Sequence, residues 1–184
     1  MKTHPLQDMT VDQFLLWSEA QSGRWELHDG VPVAMSPERA IHALCKLACV
    51  NALSEAIKTA GLSCQAFPDG MTVRVNAKAA FEPDALVRCG KPVDPDAVEI
   101  DDAIIVVEVL SISSQNRDMS AKLQGYFQVP SILHYLVLDP FKRIVVHHAR
   151  GDGDVILTRI VSSGAVQLDP PGLTIDVEHM FPAP

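Results

Sequence analysis

The apolar and polar residues of this 184-residue chain follow a helical period first and a hairpin pattern next. Residues 10–13 have the form of a capping box, and the apolar positions behind them recur at helical spacing. They predict a first helix that ends near Gly23. Two short apolar stretches, residues 25–28 and 31–35, then flank Asp29-Gly30, a strong turn signal for a β-hairpin.

A long apolar stretch follows the hairpin. Ser36, Pro37 and Glu38 supply an N-cap, a proline at the first helical position and an early acid, so they predict the start of a helix. The helix should run to about Ala60, with Gly61 ending it. Because its residues are apolar almost all round, we expect it to be buried.

The remainder of the chain has the patterns of a mixed sheet. Strand alternation covers residues 63–88, except for a loop or bulge at 76–81, and a surface loop rich in proline and acids follows at 91–102. We expect one α/β or α+β domain with a mixed central sheet flanked by helices. Beyond the loop we expect a central strand at 104–110, a helix at about 117–128, and strands at 134–138, 143–148, 155–161 and 172–177.

The composition is that of a globular protein, with 47% hydrophobic and 21% charged residues. This length can bury a core without disulfides or a structural metal. The four cysteines form no Cys-x-x-Cys pair, so reduced thiols are expected. We see neither a signal peptide nor an apolar stretch of membrane-spanning length, which favours a cytoplasmic protein with no membrane contact. The net charge of −8 argues against general electrostatic attraction to nucleic acid.

Glu108 lies near the end of the most apolar, most β-branched segment of the chain, residues 104–110. Such a segment is typical of a central strand covered on both faces. An ionised carboxylate buried there without a partner would take up a proton. Glu108 therefore needs a cation.

Two further groups are candidates to meet Glu108. Asp84 follows Pro83 at the start of a neighbouring strand, so both carboxylates would lie on one sheet face, where a divalent cation relieves their repulsion. Asp118, Lys122 and Tyr126 recur at intervals of four residues and share one helical face. If that face points back to the strand, the Lys122 ammonium reaches the metal and a scissile phosphate.

At these residues the chain resembles the Uma family of putative restriction endonucleases, part of the PD-(D/E)XK nuclease superfamily. The likeness covers roughly residues 10–150, in order and at the expected spacing. The matching segments are Trp25-Glu26-Leu27-His28-Asp29-Gly30, Met35-Ser36-Pro37, His42, Pro83-Asp84-Ala85-Leu86-Val87, Val107-Glu108-Val109-Leu110-Ser111, Asp118, Lys122, Tyr126 and Tyr135-Leu136-Val137-Leu138-Asp139-Pro140.

The resemblance implies a role for each matched residue. Pro83-Asp84 stands for the PD motif and Glu108 for the second acid, with Mg²⁺ or Mn²⁺ between them. The superfamily usually places its lysine two residues after that acid, where this chain has Leu110, so the lysine function moves to Lys122. The resemblance implies that the substrate is nucleic acid, with DNA as the leading candidate, and that cleavage leaves a 5′-phosphate.

Three other matched residues have supporting roles by the same resemblance. It brings Glu26 near the site, as a further metal ligand or a water-orienting acid. It brings His42 there as well, either on the metal or only packed beside it. Tyr126 would pack over the stem of the lysine.

Each residue also has a plainer interpretation. Glu108 could face solvent on an edge strand, Asp84 could be a turn residue, and Lys122 could be an exposed helix lysine paired with Asp118. Glu26 could be a surface acid of the hairpin. His42 could be a satisfied core histidine, and the neighbours His147 and His148 point to opposite faces of a strand, so we interpret that pair as structural.

Two rival functions remain open beside the nuclease. The domain could be a catalytically weak binding module, dimerising through the apolar helix at 41–57, which the acidity of the chain favours. It could also hydrolyse small phosphorylated molecules. A nuclease would need local phosphate contacts despite its net charge. The candidates for these contacts are Lys46, Arg74, Lys78, Arg88 and Arg117.

Overall fold

A six-stranded sheet and a four-stranded sheet form the frame of the protein. The structure is a computed structural model that describes residues 8–111 and 118–183. In chain order the elements are α1 (Val11–Ser18), β1 (Trp25–His28), β2 (Val31–Ala34), α2 (Ala40–Ala60), β3 (Cys64–Pro68), β4 (Val73–Asn76), β5 (Ala79–Phe81), β6 (Ala85–Cys89), β7 (Ala103–Val109), α3 (Asp118–Tyr126), β8 (His134–Asp139), β9 (Ile144–Arg150), β10 (Ile156–Val161), β11 (Ala165–Leu168), β12 (Leu173–Asp176) and a 3-10 helix (Val177–Met180).

The larger sheet is mixed, as predicted. Its strand order is β10-β9-β8-β7-β6-β3, and its pairs are antiparallel except for β7 and β8. Parallel neighbours need a crossover connection, which here contains α3. The smaller sheet, in the order β2-β1-β5-β4, carries the N-terminal hairpin. The predicted α+β class with a mixed central sheet flanked by helices is confirmed.

Each face of the large sheet has its own core. Ile105, Val107 and Val109 pack toward α2 and the C-terminal elements, whereas Val106 packs in a second core with Tyr126 of α3. Because strand side chains alternate between faces, Glu108 lies on the same face as Val106 and therefore toward α3. The central strand is thus covered on both sides, as its composition predicted.

The N-terminal predictions are confirmed with two changes. Thr10 and Gln13 form the capping box, but α1 ends at Ser18 rather than near Gly23. The hairpin turns at Asp29-Gly30 as predicted. Residues 79–81, predicted to be a loop or bulge, instead form β5, which pairs with both β1 and β4.

The C-terminal part also contains a strand that the sequence did not predict. This strand, β11, pairs with β12.

The long helix α2 differs from its prediction at its start and in its burial. It begins at Ala40 after Arg39, so Glu38 lies before the helix, where it contacts Arg24 and Lys46. It ends at Gly61, as predicted, where a φ of 65° suits glycine.

Only one face of α2 is buried, and Leu47 on the other is 58% exposed. The expectation of no stretch of membrane-spanning length was also wrong, because α2 meets that criterion with a mean hydropathy of 1.3. Core helices of soluble proteins meet it too, and α2 packs against β3, β6 and β12.

The cysteine prediction was half wrong. Cys45 and Cys49 are free and buried, as expected. Cys64 and Cys89 are joined in a disulfide. The antiparallel pairing of β3 with β6 sets these two residues directly opposite each other, a register that the spacing of cysteines along the chain does not reveal.

Candidate active site

The pairing of β6 with β7 brings together the first two candidates. Ala85 pairs with Val107, so the register continued by one residue sets Asp84 opposite Glu108. Asp84 is fixed by the chain around it, because the backbone N–H of Val109 donates to its Oδ2 at 2.7 Å. Both side chains are largely shielded from solvent, Asp84 with 6% and Glu108 with 14% exposed.

Lys122 reaches Glu108 from α3. Its Nζ donates to Glu108 Oε1 at 2.9 Å and to Glu26 Oε1 at 2.9 Å. The hydroxyl of Tyr126, one turn further along α3, donates to the same Glu108 oxygen at 2.6 Å. The side chain of Asp118, the third member of the predicted helical face, lies outside the described residues. The exposed-lysine interpretation is therefore wrong, because Lys122 is buried.

Glu26 is placed by the hairpin rather than by the central sheet. Strand β1 pairs with β5, which leads into the Pro83-Asp84 segment, and the Glu82 N–H donates to Glu26 Oε1 at 3.0 Å. The other oxygen of Glu26 contacts His28 Nε2 at 3.0 Å. Glu26 is buried, so it is not a surface acid of the hairpin.

The two acids around Lys122 differ in their affinity for a proton. The pKa of Glu108 is raised to about 8. Burial is the largest cause, the charges of Asp84 and Glu26 act in the same direction, and the attraction of Lys122 opposes them. Burial also opposes ionisation of Glu26, but Lys122, His28 and the Glu82 N–H lower its pKa to about 2. Glu26 is thus the permanent carboxylate, whereas Glu108 exchanges a proton near neutral pH.

His42 of α2 is the third group at Asp84. Its Nε2 lies 2.9 Å from the Val109 carbonyl oxygen and 3.4 Å from Asp84 Oδ2. Since the carbonyl can only accept, Nε2 carries a proton. Nδ1 is buried without a hydrogen-bond partner among the described residues, 3.6 Å from Glu38 Oε2. Burial opposes the charged form of the ring, but Asp84, the Val109 carbonyl and Glu38 raise the pKa of His42 above its usual value. Either a second proton on Nδ1 or a cation beside it would offset the negative charge of Glu38.

Glu38 completes this set, and the sequence reasoning missed it as a site residue. Ligand atoms of Glu38, His42 and Asp84 all lie within 4.8 Å of one another. Glu38 was assigned to the first turn of α2, so its side chain was not considered. The i, i+4 spacing of Glu38 and His42 was the signal available in the sequence.

Acids outnumber cations around the site. Lys46 is buried and contacts Glu38 and Asp69, with Asp84 Oδ1 at 3.8 Å. Arg24 contacts Glu38, Asp69 and Glu82. With the Lys122 cluster this makes six acids and three Lys or Arg residues among the described residues, so a further cation would stabilise the group. The six acids are Glu26, Glu38, Asp69, Glu82, Asp84 and Glu108, and the three cations are Arg24, Lys46 and Lys122.

A cavity of about 790 Å³ opens onto these groups. Glu26, His42, Asp84, Glu108 and Lys122 all line it, so the predicted residues are gathered at one surface. Buried carboxylates beside a lysine and a histidine in a cavity are typical of sites that hold a divalent cation and move a proton.

The predicted phosphate contacts that the structure describes are paired with acids, and of these only Lys46 lies beside the site. Lys46 is held by the acids described above. Arg74 pairs with Asp12 and Glu99, Lys78 with Asp8, and Arg88 with Asp102. Arg117 lies outside the described residues. These cations stabilise local structure, and the described chain offers no basic stripe made of them.

Comparison with known proteins identifies the family to which this chain is similar. The model of the Uma2 family, described as "Putative restriction endonuclease", matches residues 11–180. An uncharacterized protein of Synechocystis sp. is 25% identical over 180 residues, covering 96% of this chain and 93% of that protein. Another from the same organism is 28% identical over 92 residues, 48% of this chain and 52% of that protein.

A solved structure shares the fold. It is the crystal structure of a putative nuclease belonging to DUF820 from Anabaena variabilis, with a TM-score of 0.71 and 14% identity. The match covers 94% of this chain and 97% of that one. The match of the family model over nearly the whole chain decides the assignment. The chain belongs to the Uma2 family of putative restriction endonucleases.

Proposed function

We propose that this protein is a metal-dependent endonuclease that hydrolyses phosphodiester bonds of nucleic acid, with DNA as the leading candidate substrate. The whole chain would form one PD-(D/E)XK nuclease-like domain. The observation that carries the proposal is the position of Lys122 Nζ, 2.9 Å from both Glu26 and Glu108, on the floor of a cavity that Asp84 also lines. Family membership supports nuclease chemistry.

The residues fit a divalent cation. Asp84 and Glu108 would hold it through carboxylate oxygens, the ligands that Mg²⁺ and Mn²⁺ prefer. The unpartnered Nδ1 of His42 and the facing oxygen of Glu38 add a donor set at the same wall, and an imidazole suits Mn²⁺ better than Mg²⁺. When bound, the ion supplies charge to the phosphate and lowers the pKa of a bound water.

Lys122 has the central role among the residues of the chain itself. Its ammonium lies beside Glu108, where it can orient the attacking water and neutralise charge that develops on the phosphate oxygens. Glu26 and Tyr126 prepare the site for this step. Glu26, with its low pKa, stays ionised and accepts a hydrogen bond that fixes Lys122, and Tyr126 holds one oxygen of Glu108 so that the other remains available.

Cleavage of plasmid and oligonucleotide DNA in Mg²⁺ or Mn²⁺ tests the proposal. We expect Glu108→Gln and Asp84→Asn to lose at least about 100-fold in rate, because each removes a charge from the proposed metal site. Lys58→Met is the matched control, since this lysine of α2 is exposed and remote from the cavity. Equal cleavage by all four proteins would identify a contaminating nuclease and reject the proposal.

A second candidate function is a binding or dimerisation module without strong catalysis. It is favoured by the pairing of the described candidate phosphate contacts with acids and by the exposure of Leu44 and Leu47 on α2. Light scattering decides it. A dimer that Leu47→Ser converts to a monomer, together with no metal-dependent cleavage by the wild type, would favour this candidate over the nuclease.

A further inference from the structure

The walls of the cavity differ from its floor. The floor carries the carboxylates, Lys122 and His42, whereas nearly half of the described lining residues are apolar. They come from β2 and the segment after it, from the start of α2, from the end of β7 and the residue after it, from α3, and from the turn after β8. The apolar set is Val33, Ala34, Met35, Pro37, Ile41, Val109, Leu110, Ala121 and Phe141.

The reacting groups lie deep in this cavity. Asp84, Lys122 and Glu108 have only 6%, 7% and 14% of their side chains exposed. A volume of about 790 Å³ is within the range of sites for drug-sized molecules. A phosphate can reach the floor if its strand is flexible and its bases can turn away from a partner strand.

The charges around the entrance support the same view. Binding of duplex DNA depends on many phosphate contacts by Lys and Arg. Among the described lining residues Arg39 is an exposed cation, and Lys122 is buried among acids. Among the described lining residues apolar side chains outnumber exposed cations, so the apolar walls supply a surface for bases.

Phe141 is the side chain best placed to contact a base. It lines the cavity and is 57% exposed. The turn that carries it is held by Asp139, whose Oδ1 accepts the N–H groups of Phe141 and Lys142 at 3.0 Å each. These hydrogen bonds use the backbone of Phe141, so they do not involve its ring. Aromatic rings of this kind stack on unpaired bases of any sequence.

We infer that the substrate of this site is a single strand of nucleic acid, threaded between the apolar walls with a base against Phe141. This inference rests on the proposed function, since it names the substrate class of the same site. It separates this protein from a nuclease that holds an intact double helix.

The test measures binding and cleavage separately. Fluorescence anisotropy of the wild type in Ca²⁺ would compare a labelled DNA strand of about 16 nucleotides, its RNA counterpart and the DNA duplex. We expect the single strand to bind at least about tenfold more tightly than the duplex. Phe141→Ala should weaken single-strand binding about tenfold and leave duplex binding unchanged. Ile160→Ala, an exposed apolar residue of β10 outside the cavity, should change neither.

The outcomes distinguish the inference from the proposed function. Duplex binding as tight as single-strand binding, or equal effects of Phe141→Ala and Ile160→Ala, would overturn the inference, as would a mononucleotide that binds as tightly as the strand. Metal-dependent cleavage of duplex in preference to single strand would overturn it while leaving the nuclease in place. Tight single-strand binding without any cleavage would sustain it and remove the proposed function. The DNA and RNA strands identify the preferred sugar.

Discussion

Two buried polar clusters lie on opposite faces of the same sheet, and they are built differently. The lysine cluster, Glu26, Glu108, Lys122 and Tyr126, faces α3. The histidine pair, His134 and His147, lies on the face of Leu136 and Val145 and ends at the Pro170 carbonyl.

The histidine pair is neutral and satisfied. His134 Nε2 donates to the Pro170 oxygen at 2.8 Å, so its Nδ1 accepts from His147 Nε2 at 2.9 Å. Burial lowers the pKa of both rings, that of His147 to about 4. The lysine cluster, by contrast, lies in an excess of acid and opens on a cavity. Polar groups that are hydrogen-bonded to each other and to the backbone, like the histidine pair, are typical of structural roles. Ionisable groups with shifted pKa values that open on a cavity, like the lysine cluster, are typical of functional sites.

Removal of Lys122 should have the largest effect on stability and on cleavage rate. In Lys122→Met the carboxylate of Glu26 loses its buried cation, so we expect a loss of about 3 kcal/mol in the free energy of unfolding. The rate of DNA cleavage should fall at least about 100-fold, because the ammonium at the phosphate is gone. Urea denaturation and a plasmid assay measure the two effects. Full activity in this variant would show that Lys122 is structural, like the histidines.

Metal affinity should depend on pH through the lysine cluster. Glu108 has a raised pKa of about 8, so below that pH a cation must displace its proton. We expect Mn²⁺ affinity to rise about tenfold per pH unit between pH 6 and 8 and to level off above pH 8. Calorimetry at several pH values measures this. Glu108→Gln should show a clearly shallower profile, and equal slopes in this variant and the wild type would mean that Glu108 is not a ligand.

The smallest effect should come from the histidine pair. The unfolded chain protonates His147 near pH 6.5, whereas the folded chain does so only near pH 4. The unfolded state therefore binds more protons in this window, and stability is lost as the pH falls through it. Urea midpoints at pH 7, 6 and 5 should fall less steeply in His147→Gln than in the wild type, with no change in cleavage rate at pH 7. Equal slopes would contradict the assignment.

The sequence predicted the fold class and which side chains come together, but not the exact ends and burial of all the elements that carry them. The helical spacing of Lys122 and Tyr126 and the buried setting of Glu108 are local features, and the family pattern linked them to Asp84. Glu38 was missed because its contacts depend on where α2 starts, which a Ser-Pro-Glu signal placed too early. The Cys64–Cys89 disulfide depends on the register of two strands 25 residues apart. The prediction that α2 is buried failed for a related reason, because the hydropathy of a helix does not show which of its faces the rest of the protein covers.

The contact between Lys122 and Glu26 also has a consequence for folding. These two residues are 96 positions apart, whereas Lys122 and Glu108 are separated by 14. Contacts so distant along the chain form late, after the loops between them have closed. The chain would therefore acquire its charged cluster only when the hairpin has docked on the finished central sheet. Newly made or partly unfolded copies would lack it, so the proposed hydrolysis would be confined to chains that have completed folding.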